Sequence, residues 1–149
     1  MKTQLMIAVS LFFLFFFNSS FKNKNDYFVS AKGNQEKTTL AKSIANGKEI
    51  YDDFCVQCHL ANGKGDAKNF PPLDGSDWLS KKVIPSIHAI KYGQTGEIMV
   101  NGKKFNNTMP PPLGLSNQEI ADVMNYIRNA WGNKHPKMIS LEQVEKVKL

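Results

Sequence analysis

The sequence predicts an all-α domain: three main helices with long loops wrapped around them and one short hairpin. Three observations predict it. Apolar residues recur at helical spacing in two well-delimited segments, proline-rich stretches separate them, and only one segment carries a hairpin signal. The first helix is read in "SIANGKEIYDDFC". Ser43 is its expected N-cap, with Thr39 as an earlier start, and Ile44, Gly47, Tyr51 and Phe54 fall on one stripe. Gly47 is unfavourable inside a helix, so close approach of another helix is expected there. "SKKVIPSIHAIKYG" reads as a short helix stopped by Gly93, and "EIMVNGKKF" as a hairpin turning at Asn101-Gly102. The last helix is the clearest. Ser116 and Glu119 form a capping box, and Leu115 with Ile120 are spaced for a hydrophobic staple. Ile120, Val123, Met124, Ile127 and Trp131 mark its apolar face, and Gly132 is placed as the terminating residue.

Residues 1–39 read differently. Lys2 precedes the thirteen-residue apolar run "LMIAVSLFFLFFF" at 5–17, the pattern of an export signal. It is short for a membrane span, which needs about 20 apolar residues. Residues 1–20 are therefore expected to be a signal peptide or an uncleaved anchor, and 21–39 a polar linker. The domain is expected at 40–133, followed by a tail at 134–149 in which Ser140 and Gln143 have capping-box spacing. Either form of the N-terminus puts the domain outside the cytoplasm, in the periplasm, soluble or tethered through 5–17. The formal charge of +6 lies mostly in the tails, because the central block holds ten basic against nine acidic residues. A nucleic-acid reader would concentrate that excess on its folded domain, so nucleic acid is not an expected partner.

The chemistry centres on "CVQCH". A thioredoxin-like dithiol would sit beside strand–helix–strand alternation, which is absent. A zinc site would need a second ligand pair. A disulfide across two residues closes too small a loop to stabilise much. The His directly behind the second Cys decides the reading, since Cys-x-x-Cys-His is the attachment pattern for c-type haem. Cys55 and Cys58 are then the thioether anchors of one haem c, and His59 the first iron ligand. Met109, in "NNTMPPP" between prolines, is the expected sixth ligand. Met124 belongs to the helix core, Met99 to a hairpin strand, Met138 to the tail and His88 to a short helix. A thioether paired with an imidazole suits electron transfer, because no coordination position stays open.

Residues 40–133 resemble a class I cytochrome c, in the CVQCH signature and in its order relative to the Met loop and final helix. The resemblance implies that the first helix crosses the last, with Gly47 and Tyr51 facing Val123 and Tyr126. It implies that Pro71-Pro72-Leu73 presents the Pro71 carbonyl to the His59 ring and packs Leu73 on the haem. It places Trp78 and Phe105 in the haem pocket. Many relatives carry a Tyr where Phe105 stands, and its bond to a propionate is lost here. "DGSDWL", "VNGKKFNNTMPP" and "YIRNAWGN" are similar to single-haem subunits serving dehydrogenases and terminal oxidases. The expected function is a one-electron carrier, not an enzyme, working between redox partners such as a dehydrogenase, a quinol-oxidising complex or a terminal oxidase. The alternatives are a haem-c enzyme or gas sensor with an open sixth position, and a non-redox adaptor using its basic tails. Asp52, Asp53, Asp66 and Asp77 are expected to be solvated or capping residues, not a catalytic pair.

Overall fold

The computed structural model describes residues 39–66 and 68–149. The expected leader and linker lie outside the described residues. Helix α1 runs Leu40–Phe54 and starts at Thr39, whose hydroxyl accepts the Lys42 amide at 3.3 Å. The expected cap, Ser43, is instead fully buried one turn inside, and its hydroxyl donates to the Asp122 carboxylate. The buried face of α1 is accordingly Ser43, Gly47 and Tyr51, one residue from each of three successive turns, while Phe54 is half exposed. Helix α2, Val56–His59, follows after a break at Cys55.

Helix α3 (Asp77–Lys81) is capped by Ser76, and helix α4 (Val83–Tyr92) ends at Gly93. The single short helix expected here is thus two, interrupted at Lys82. Pro85 sits in the first turn of α4, where its missing N–H has no helical partner to lose. Strands β1 (Ile98–Val100) and β2 (Lys103–Phe105) pair antiparallel, with Ile98 opposite Phe105 and Val100 opposite Lys103. Asn101 and Gly102 both have positive φ, 50° and 74°, the conformation a tight two-residue hairpin requires. Asp77 is tied to that turn: the Asp77 amide donates to Asn101 Oδ1 at 2.9 Å, and the Asn101 amide to Asp77 Oδ1 at 2.8 Å.

Helix α5 (Asn117–Ile127) has the expected capping box of Ser116 and Glu119. Ile120, Val123, Met124 and Ile127 are buried as the apolar period requires. Trp131 is not on that helical face. The helix closes at Arg128, and Trp131 turns back with φ 55° to donate its indole N–H to the Ala61 carbonyl at 2.9 Å. The turn residue is therefore Trp131 and not Gly132. Its ring meets Tyr51 and Tyr126 with centroids 5.4 and 5.8 Å away, and Tyr51 meets Tyr126 at 5.3 Å.

Helices α1 and α5 form the main helix–helix contact. A Cβ on residue 47 would lie 2.0 Å from the Asp122 carbonyl oxygen and 2.9 Å from Tyr126 Cβ, so glycine is what lets the two backbones meet. The nearest atoms to Gly47 across the crossing are those of Asp122 and Tyr126, and Tyr51 meets Tyr126 as expected and shares one core cluster with Val123. At this crossing Asn125 donates to Ser43 Oγ at 2.9 Å and Gln118 donates to Asp122 at 2.9 Å. Helix α6 (Leu141–Lys146) carries the second capping box, Ser140 with Gln143. Ile139, Val144 and Val147 are buried in the common core, and the Asn125 side chain both donates to the Ile139 carbonyl and accepts its amide. The segment after residue 133 thus packs on the domain.

Candidate haem site

An apolar cavity, open to solvent on one side, lies between α2, α3, α4, the hairpin and α5. The residues predicted for the site all line it: Cys55, Cys58, His59, Pro71, Leu73, Trp78, Phe105 and Met109. They arrive from four separate stretches of chain.

The first stretch is the end of α1 and the single turn of α2. The turn holds Cys55, Cys58 and His59 on one side: the Cys58 and His59 amides both donate to the Cys55 carbonyl, at 3.2 and 2.9 Å. Cys58 is exposed and Cys55 half-buried, and no disulfide joins them. Burial, and then the neighbouring Cys58, push the Cys55 thiol up to about 12. A redox dithiol needs the opposite shift, because the thiolate is the attacking species.

His59 is buried, and its Nδ1 lies 3.1 Å from the Pro71 carbonyl oxygen. A carbonyl only accepts, so Nδ1 carries the proton and donates it. Burial lowers the His59 pKa, with the Pro71 bond opposing. The ring is therefore held neutral, with the lone pair on Nε2 available to a metal, and oriented through its other nitrogen.

The second stretch, 70–79, is fixed from the far end of the chain. Asn133 donates to the Leu73 carbonyl at 2.9 Å and accepts the Gly75 amide at 3.0 Å. The Arg128 guanidinium donates to the Leu79 carbonyl. These bonds hold Leu73, Trp78 and Leu79 as one wall. The third stretch is the hairpin. Strand alternation sends Ile98, Val100 and Phe105 to the cavity and leaves Met99 about half exposed.

The fourth is the loop holding Met109. Its amide donates to the Gln94 carbonyl, and the Gln94 amide donates to the Met109 carbonyl, both at 2.9 Å. The other thioethers and imidazoles among the described residues are not in the lining. Met124 is completely buried in the helix core, and His88 stacks on Tyr92 at 5.1 Å outside the cavity lining. Sequence reasoning did not find Gln94, Asn107, Thr108, Ser76 or Ser86, which also line the cavity and supply its polar groups. No local motif marks them.

Two thiols, a neutral imidazole and a thioether on one apolar cavity form a donor set that fits a covalently held iron porphyrin. Among the described residues, no group of three or more His, Cys, Asp and Glu is placed to hold a metal ion by itself. The family model for cytochrome c matches residues 44–131, and the chain belongs to that family as a class I monohaem c-type cytochrome. It binds haem c covalently and works in electron transport. The chain is similar to a cytochrome c-552 of Thermus thermophilus, 38% identical over 117 residues that cover 73% of this chain and 78% of that protein. It is also similar to the cytochrome c subunit of a quinone alcohol dehydrogenase from Gluconobacter oxydans, 29% identical over 68% of this chain and 22% of that subunit. A third relative is the cbb3-type cytochrome c oxidase subunit FixP of Bradyrhizobium diazoefficiens, 30% identical over 76% of this chain and 39% of FixP.

Proposed function

We propose that the protein is an exported single-electron carrier whose iron is held between His59 and Met109. One observation carries the reading: the oriented His59 ring and the Met109 thioether line the same cavity as both cysteines. The bound haem supplies a one-electron ferric/ferrous couple. Cys55 and Cys58 would hold it covalently, as thioethers to its two vinyl positions. The Pro71 carbonyl keeps the His59 proton on Nδ1, so that Nε2 is the ligand. Met109 would supply the second iron ligand, and a thioether ligand would raise the reduction potential. Leu73, Trp78, Leu79 and Phe105 exclude water and keep the surroundings of low dielectric.

The domain 40–133 with its packed tail 134–149 acts outside the cytoplasm, in the periplasm, delivered by a leader or anchor at 1–20 through the linker 21–39. Among the described residues no helix is long and apolar enough to cross a membrane. Redox partners of the kinds named in the relatives, a quinone-dependent dehydrogenase or a terminal oxidase, fit this role. The test is spectroscopic. The ferric protein is expected to show the red-region sulfur-to-iron band, and the ferrous protein to resist carbon monoxide at neutral pH. Met109→Ala should abolish the band and lower the midpoint potential. A wild-type protein that lacks the band and binds carbon monoxide readily has an open position and is a sensor or enzyme instead.

A further inference from the structure

We infer that Gly93 and Gln94, at the end of α4, are positioning residues that set where the Met109 sulfur stands. The inference rests on Met109 being the iron ligand. The loop around Met109 has little to hold itself in place. Residues 110–112 are all proline and contribute no backbone N–H. What fixes Met109 is a reciprocal pair of 2.9 Å bonds with Gln94, an isolated antiparallel bridge far from it in sequence. Both bonds are made by the Met109 main chain, so they determine the direction in which its side chain leaves.

Gly93 makes that pairing accessible. Its amide still closes α4 on the Ala89 carbonyl at 3.0 Å, and its φ of 89° turns the chain directly into the bridge. A Cβ there would stand 2.9 Å from the Met109 carbonyl oxygen and 3.0 Å from Pro111 Cδ. One neighbour is main chain and the other is a rigid ring, so neither yields as a flexible side-chain tip would. A side chain at residue 93 therefore pushes on the Met109 segment itself. Gly96 offers an internal control three residues on. It has a similar φ of 81°, but a Cβ there meets nothing within 4 Å. Alanine at Gly96 also meets a positive φ, but without the contact.

The test compares Gly93→Ala, Gly96→Ala and wild type as holoproteins, with Met109→Ala as the reference for a lost ligand. Imidazole is titrated into the ferric protein, since it competes for the position Met109 occupies. In Gly93→Ala the apparent imidazole affinity should rise about tenfold, the expected consequence of moderate strain placed on the closed state. The sulfur-to-iron band should weaken with it. Gly96→Ala should stay within about twofold of wild type by the same measure. Gln94→Pro removes one of the two bonds without adding a contact at residue 93, and should shift affinity in the same direction as Gly93→Ala. Equal shifts in Gly93→Ala and Gly96→Ala would overturn the inference, because general loop strain would then account for both. So would a Gly93→Ala protein with wild-type band and affinity. A wild type lacking the sulfur band would instead overturn the ligand assignment. Circular dichroism and thermal melting separate each of these from misfolding.

Discussion

A methyl group at residue 47 would sit 2.0 Å from the Asp122 carbonyl oxygen, a distance no backbone tolerates. Gly47→Ala must therefore separate α1 from α5 or bend one of them. The expected cost is about 2–3 kcal/mol, the upper part of the range for overpacked sites. It is measurable as a lower midpoint in guanidinium unfolding of the holoprotein, and an unchanged midpoint would contradict the crossing. This residue was legible in the sequence because a glycine inside a helical stripe is costly unless something uses the space. CVQCH was legible for a different reason: covalent attachment needs two cysteines and a histidine in a fixed order over five positions. Ser43 was misread because its partner, Asp122, is 79 residues away. A buried serine and a capping serine look alike until the other helix is present. Gln94 gave no signal at all, since its contribution to Met109 is made by main-chain atoms that every residue but proline carries.

At the scale of elements, self-contained signals were the readable ones. The capping box of α5 lies within four consecutive residues, and the hairpin turn within two. The length of α5 was overestimated because Trp131 keeps the helical period by chance of position. Its ring is claimed instead by Tyr51, Tyr126 and the Ala61 carbonyl, contacts that only exist once α1 is in place. Helix α6 shows the same limit. Its box was visible, but whether it packs was not, because Ile139, Val144 and Val147 form a short apolar set of the kind a free tail also carries. In the fold Val144 is completely buried. Val144→Ala removes two buried carbons and leaves a hole, which should cost about 2 kcal/mol. Chemical unfolding monitored by far-ultraviolet circular dichroism checks it. A cost near zero would mean that α6 is detached in solution.

For the molecule as a whole, the cavity is the dominant fact. Its walls are Val123 and Ile127 of α5, Ile90 of α4, Leu79 of α3 and the apolar face of the hairpin. These elements meet each other only in part and otherwise meet the cofactor. Emptying a space of this size removes the contacts that close packing supplies to an ordinary core. Cys55→Ala combined with Cys58→Ala should therefore yield a chain without a cooperative thermal transition when produced without attached haem. A sharp transition in that variant would show that the helices pack without the cofactor. The overall architecture was readable because the order of signature, methionine loop and capped helix spans the whole domain. The walls were not, since their residues are ordinary aliphatics drawn from four separated stretches.

The last turn of α4 has a consequence for the order in which the molecule comes apart. Lys91 donates to the carbonyls of Val144 and Val147, each at 3.0 Å, and Tyr92 donates to that of Val147 at 3.2 Å. The next two residues, Gly93 and Gln94, meet Met109. Four consecutive residues thus grip the end of the chain with one pair and the sulfur-bearing loop with the other. Fraying of the C-terminus loosens the same turn that the loop depends on, so the two segments share one local opening equilibrium. The amides of Met109 and Val147, 38 positions apart, are therefore expected to lose protection together in native-state hydrogen exchange, with the C-terminus and the Met109 loop opening as one unit.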